Sequence, residues 1–358
     1  PDSSTQATAA SGFGFKNRII NGDMSISQRW AGASSSASSQ HTVDRWIYLN
    51  SQASMMTWGQ NLGSVTPPTG FTNYMGFTTL TTTALGASDY CVFVQAIEGF
   101  NVADLGWGTA NAQTVTLTFK VYSSLTGTFG GAFSNASRTR SYPFSYTISS
   151  ANTWTSVTVT VPGDTSGTWL TNSGAGIHVW FSLGSGSNFA ATAGSWGAGD
   201  KFTASGAVSV VSNASATWYI TGVQLEVGST ATSFDYRPYG TELQLCQRYF
   251  EKSYNYEYAL GSVTTQGCWV SVNINTGDFY DYGRCGFRVT KRATPTMYAW
   301  SPINGVQGQW GCFSIGANSG NVAADMVGMN GLRWYCNNSG MYGPNAAYGL
   351  HWCADAEI

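Results

Sequence analysis

Apolar and polar residues alternate one by one over long stretches of this chain. Val115, Leu117, Phe119 and Val121 alternate with Thr114, Thr116, Thr118 and Lys120. Val157, Val159 and Val161 alternate with Ser156, Thr158 and Thr160, and Ile177, Val179, Phe181 and Leu183 repeat the pattern. A period of two with polar partners predicts half-buried antiparallel strands. Gly-, Ser- and Asn-rich spacers separate these runs at intervals suited to a sandwich. Residues 13–240 therefore read as one jelly-roll-like β-sandwich.

One segment departs from this pattern. Thr241 to about Ser253 reads as a short connecting helix: Thr241 can cap it, Glu242 suits its first turn, and Leu245 and Tyr249 lie one turn apart. Pro238 and Gly240 break the chain just before it. Such a helix buries little alone, so it is a natural place for contact between chains. Residues 254–358 return to strands, with alternation at Val270, Val272 and Ile274 and again at Cys285, Phe287 and Val289. The stretches Thr296 to Trp300 and Leu350 to Ile358 complete a smaller sheet unit. Residues 1–12, rich in Ser, Ala and Thr, read as a flexible or extended arm. The predicted fold class is all-β: a jelly-roll sandwich, a helix over 241–253, and a smaller β-sandwich domain over 254–358.

Charge changes the picture of the surface. Only 9% of the residues are charged, the net charge is −2, and 43 of 358 residues are glycine. Such a surface stays in solution through hydroxyls and amides. Nothing in it steers the chain to nucleic acid or to an anionic membrane. No apolar run is long enough for a membrane-spanning helix, and no signal peptide opens the chain. The first residue is Pro1, which is consistent with processing or with a longer parent chain. The seven cysteines are odd in number and show no close C-x₂-C pair. They read as small apolar core residues, with two or three bridges in the last segment as the alternative.

Catalytic constellations are missing from the sequence. His41, His178 and His351 are far apart and follow no ligand pattern. There is no nucleophile elbow and no P-loop. A glycan hydrolase would need two facing carboxylates, with candidates among Asp89, Glu98, Asp104, Asp164 and Asp200.

Aromatic residues are the positive signal, with 14 Trp, 19 Tyr and 18 Phe. Most must be core. Parity turns His178 and Trp180 outward, opposite Ile177, Val179, Phe181 and Leu183, and leaves Trp269 opposite Val270 and Val272. An outward Trp needs a cover: another chain, a sugar, or a loop. Trp107, Trp196 and Trp310 sit between small loop residues, where a ring is either a plug or a presented platform. Near the C-terminus, Trp334, Tyr335, Asn337, Asn338, Tyr342, Asn345 and Tyr348 mix aromatics with amides as a lectin surface does.

Several phrases occur in a telling order. Asn17 to Ile26 read Asn-Arg-Ile-Ile-Asn-Gly-Asp-Met-Ser-Ile, followed by Gln28-Arg29-Trp30 and Thr42-Val43-Asp44-Arg45-Trp46. Later come Ile220 to Gly228, Tyr236-Arg237-Pro238-Tyr239-Gly240 and Cys246-Gln247-Arg248-Tyr249-Phe250, and the last residues are Asp355-Ala356-Glu357-Ile358. Together they resemble bacteriophage tail-fibre and virion-fibre proteins, whose central module resembles the jelly-roll of carbohydrate-binding modules. The resemblance covers about residues 13–255 and the final residues.

It implies a virion-surface attachment protein, made in the bacterial host cytoplasm, that adheres to a bacterial surface polysaccharide without chemistry and without a cofactor. Reducing cytosol would favour free thiols. The expected assembly is a homotrimer with Leu243, Leu245 and Tyr249 near its axis, joined to other virion proteins through the N-terminal region. A fibre presents its receptor contacts at the free end. The expected glycan site is therefore Trp310, Trp334, Tyr335, Asn337, Asn338, Tyr342, Asn345 and Tyr348, with His178 and Trp180 as the second candidate. Jelly-roll modules of this kind often hold a structural calcium, for which Asn21-Gly22-Asp23 and Glu226 would be the matching positions. With so few acidic groups there, an Asx-type turn at Gly22 is the preferred reading, and no metal is expected. The rival functions are a purely structural decoration or collar protein, and a glycan depolymerase.

Overall fold

The computed structural model describes residues 15–272, 279–280, 285–314, 316–320, 322–336 and 346–358. The all-β class holds, with a single α-helix among the described residues. Two antiparallel sheets form the first unit. The front sheet has seven strands in the order Gln40–His41, Trp46–Asn50, Tyr90–Glu98, Ala175–Ser185, Gly127–Ser134, Arg140–Ile148 and Gly197–Ala198. The back sheet has five: Met56–Gln60, Met75–Thr79, Thr217–Val227, Val115–Ser123 and Thr155–Val161.

The alternation in the sequence sets which faces meet. Val115, Leu117, Phe119 and Val121 are at most 2% exposed and face Ile177, Val179, Phe181 and Leu183 across the core. Ring contacts tie the sheets, with Phe119 and Phe181 centred 5.0 Å apart and Phe77 and Phe93 5.1 Å apart. Leu117 pairs with Val159 and Phe119 with Val157, as the shared parity requires. Val159 is only half-buried because its strand forms the edge of the back sheet. A bulge between Thr221 and Gln224 kinks the Thr217–Val227 strand. Gly222 sits there at φ 62°, where an added Cβ would lie 2.7 Å from the Phe71 ring.

The helix spans Tyr239–Gln247, starting earlier and ending sooner than the sequence suggests. After it the chain extends into the strand Phe250–Lys252. Leu243, Cys246 and Tyr249 pack on Ile20 and Ile26 inside the same chain, and Leu245 is half-buried beside them. Of the three residues expected at a three-fold axis, Leu243 and Tyr249 are thus already covered within the chain.

The remaining strands build a smaller two-sheet unit around Ala347–Asp355. This central strand pairs with Phe250–Lys252, Trp269–Val272, Thr296–Trp300 and Gln309–Cys312. The strand Gly331–Cys336 organises the second sheet by pairing with Val322–Gly328 and Cys285–Gly286. Trp310, Leu332, Trp334, Leu350 and Trp352 fill the space between them. Cys91, Cys246, Cys268, Cys312 and Cys353 are free thiols, four of them buried, as the core reading requires.

Buried charge joins the two units. Glu357 lies between Arg45 and Arg29, and Asp355 accepts from Arg29 at 3.0 Å. The Arg29 guanidinium also lies 3.6 Å from the centre of the Phe250 ring. Arg248 pairs with Glu98 at 2.6 Å, and the Tyr249 hydroxyl donates to the same carboxylate. Gln28 donates to the Phe250 carbonyl at 2.8 Å. Four of the phrases that carry the fibre resemblance, Gln28-Arg29-Trp30, Thr42 to Trp46, Cys246 to Phe250 and Asp355 to Ile358, thus meet in one place. Asn21 accepts from the Ile26 amide and donates to the Ile26 and Asp44 carbonyls, so its side chain bridges a longer loop. The turn at Gly22 is closed by the backbone, with the Met24 amide donating to the Asn21 carbonyl at 3.2 Å, in place of the expected Asx-type bond.

Candidate functional site

The expected C-terminal cluster is rearranged by the fold. Trp310, Trp334 and Tyr348 are 3%, 2% and 3% exposed. Trp310 meets Tyr348 edge-on at 4.3 Å. These three rings are core, so their faces are closed to a ligand. Their positions explain it: Trp310 and Trp334 lie within the strands Gln309–Cys312 and Gly331–Cys336, where the flanking residues suggested loops. Tyr335 is half-buried on the latter strand. Asn337, Asn338, Tyr342 and Asn345 lie outside the described residues.

The second candidate has the expected orientation but a different cover. Trp180 does point away from the main core, and the 187–204 segment lies over it, with Phe202 4.5 Å from its ring. Its indole N–H donates to Ser134 at 2.8 Å. His178 contacts the Asn135 carbonyl, and burial lowers its pKa to about 4, so it is neutral at neutral pH. The loop tryptophans behave as plugs. Trp107, Trp169 and Trp196 pack on one another with centroids 4.7 to 5.3 Å apart.

The five candidate carboxylates each have partners of their own. Asp89 accepts from Ser51, Gln52 and the Gly86 amide. Glu98 pairs with Arg248, Asp104 with Arg18, Asp164 with Arg140 and Asp200 with Arg138. Glu226 is held by Gln224 and Thr232, and Asp23 by Ser25. One arrangement the sequence reading missed is Ser253 beside His351, with Oγ 3.1 Å from Nδ1. His351 is fully buried, its Nε2 contacts the Thr264 carbonyl, and Tyr254 stacks on the ring at 3.6 Å. No substrate reaches that serine, and the pair is packing.

An open site does exist, on the outer face of the back sheet. The parity that sends Leu117 and Phe119 inward sends Thr118 and Lys120 outward, beside Ser156 and Thr158 of the neighbouring strand. Lys120 Nζ donates to Ser156 Oγ at 3.0 Å. Phe71, Phe234 and Tyr236 stand along one side of this floor with ring centroids 4.9 to 5.6 Å apart. Tyr236 is 57% exposed, and its hydroxyl donates to the Gly70 carbonyl at 2.9 Å, which fixes the ring. The groove encloses about 360 Å³. A wall of rings over a floor of hydroxyls with one ammonium suits an uncharged, hydroxyl-rich ligand. Period two could have located the floor. The wall comes from residues 71 and 234–236, whose approach no local pattern announces.

No protein-family model matches the sequence, and no curated protein matches it. Solved structures that align with it include the enzymatically active domain of tailspike protein 4 from bacteriophage CBA120, at 11% identity and a TM-score of 0.33. That alignment covers 60% of this chain and 22% of the other, so the chain spans about a fifth of that domain. A putative sugar-binding protein from Bacteroides thetaiotaomicron aligns at 11% identity over 59% of this chain and 100% of its own, with a TM-score of 0.32. A structure described as CBM4 aligns at 13% identity over 59% and 99%, with a TM-score of 0.31. Likeness at this level carries no functional argument, and the reading below rests on the site and the sequence.

Proposed function

We propose that the chain is an attachment protein of a phage virion fibre that holds a bacterial surface glycan non-covalently in the groove on the back sheet. The observation that carries the sugar part is the groove itself, with Phe71, Phe234 and Tyr236 above Thr118, Lys120, Ser156 and Thr158. The virion part rests on the ordered sequence phrases at residues 17–46, 220–250 and 355–358. In this reading the chain works as a homotrimer at the virion surface, contacts other virion proteins through its N-terminal region, and gains avidity from several weak sites.

A glycan array followed by calorimetric titration tests it. The wild-type chain should bind a defined set of bacterial saccharides, and Tyr236→Ala should weaken binding about tenfold without lowering the melting temperature. A chain that binds no saccharide would sink the proposal in favour of a structural decoration role. Release of new reducing ends from host polysaccharide would favour a depolymerase.

A further inference from the structure

A second cleft lies where the sandwich meets the C-terminal unit. It encloses about 410 Å³ and draws its walls from both. This lies within the range of about 300–1,000 Å³ usual for small-ligand sites. Trp30 comes from the sandwich, and Tyr298 and Trp300 from the strand Thr296–Trp300. Two residues apart on one strand, Tyr298 and Trp300 face the same side. Trp30 is immobilised: its N–H donates to the His41 carbonyl at 2.7 Å, and it meets Trp58 edge-on at 5.0 Å. Tyr298 is 39% exposed.

The polar groups of the cleft are equally fixed. Arg29 is held by Phe250 on one face and by Asp355 and Glu357 at its edge. These pairs use two of the guanidinium's five N–H groups. The Arg29 side chain is 10% exposed and that of Asp355 28%. A donor and an acceptor therefore stand side by side on the cleft surface, with the exposed amides of Gln40 and Gln307 at its rim. Adjacent ligand hydroxyls match such a pair, one accepting from Arg29 and one donating to Asp355. The pair is internally neutral. A ligand carrying a carboxylate or an amine would have to compete with it.

We infer that this seam is a second saccharide site, taking an uncharged pyranoside with vicinal hydroxyls stacked between Trp30 and the Tyr298–Trp300 wall. The inference shares with the proposed function the premise that the chain binds glycan, but it uses none of the groove residues. Because the walls belong to both units, a bound sugar also holds them together. Ligand then raises the melting temperature of the C-terminal unit.

The test is titration of the full chain with the methyl glycosides of mannose, galactose and glucose, by calorimetry and by tryptophan fluorescence. Wild type should take two equivalents of at least one of them. Tyr298→Ala combined with Gln307→Ala, both at exposed positions, should weaken one event about tenfold and leave the other unchanged. Tyr236→Ala should do the reverse. A single equivalent that is lost in Tyr236→Ala and unaffected in the seam double variant would overturn the seam site and leave the groove reading standing. A single equivalent lost only in the seam double variant would support the seam and sink the groove. No binding of any glycoside at millimolar concentration would sink both. A glucuronide or glucosaminide that binds more tightly than its neutral counterpart would overturn the assignment of an uncharged ligand. If the seam double variant alters the oligomeric state by light scattering and leaves sugar binding intact, the cleft is a contact between copies and the inference falls.

Discussion

The sandwich and the C-terminal unit are both β-structures, yet the first coheres by apolar packing and the second is attached by buried charge. Between the two sheets lies a broad aromatic core in which Trp46, Phe77, Phe93, Phe119, Phe181 and Trp218 touch in a chain. At the junction stand Arg45 and Glu357, 2% and 4% exposed at their side chains, and Glu98 beneath Arg248. Apolar packing tolerates changes of shape if volume is kept. A buried ion pair tolerates little, because losing one partner leaves the other desolvated and uncompensated. The difference teaches that the sandwich can absorb variation that the junction cannot, and that the ordered sequence phrases mark the junction.

The largest expected effect tests the sandwich. Phe181 is fully buried against Trp46, Phe119, Phe144 and Trp218. Phe181→Ala should cost about 3–5 kcal/mol, read from denaturant unfolding followed by tryptophan fluorescence. A loss below about 1 kcal/mol would show that the core is not held by this ring network.

The next tests the junction. Burial raises the Glu357 carboxyl, but the neighbouring cations, Arg45 foremost, outweigh it and hold the pKa at about 2. Glu357→Gln should cost up to about 3–5 kcal/mol at neutral pH. Calorimetry should then show the C-terminal unit melting ahead of an unshifted sandwich transition. One common transition, shifted as a whole, would erase the distinction between the two regions.

The smallest effect comes from pH and touches both regions. Burial lowers the pKa of His178 in the sandwich and of His41 at the junction to about 4. Both fold in the neutral form, so their contribution is complete above the ordinary value of 6.5 and is lost as pH falls toward 4. Asp44 acts oppositely. Burial raises it to about 6, so its contribution is present below 3.8 and is lost as pH rises through 6. Burial also lowers His351 and raises Glu242 and Asp200, each by less. Among the groups shifted furthest two histidines oppose one carboxyl, which gives a net loss of stability on acidification from pH 6.5 to 4. Melting at pH 7 and pH 4.5 should show it. His178→Gln should then reduce the acid sensitivity of the sandwich alone. Equal melting temperatures at the two pH values would refute the buried-neutral reading of both rings.

The strands at 115–121, 157–161 and 177–183 are legible in the sequence because each buries one face, and period two reports that directly. The outward direction of Trp180 was legible on the same ground. Its cover was not, since Phe189 and Phe202 arrive from a segment with no regular period. Trp310 and Trp334 misled for a related reason. A short strand holding Trp and Gly and bordered by Gly or Asn has the composition of a loop, and only its partner strands make it core. The helix was found, but its outward face was misjudged: Ile20 and Ile26, more than two hundred positions away, claim Leu243 and Tyr249. The groove wall and the seam cleft depend on equally distant approaches. Arg45 and Glu357 stand 312 positions apart, and no local signal joins them.

That separation has a kinetic consequence. Residues 29 and 45 leave the ribosome long before residues 355–357. An early-folded sandwich must therefore keep Arg29 and Arg45 hydrated, with their pocket open, until the last strand arrives. Contacts of such high sequence separation form slowly. Docking of Glu357 then follows the folding of the sandwich. Until it occurs, Arg29 and Arg45 lack the carboxylate that compensates them in the folded chain.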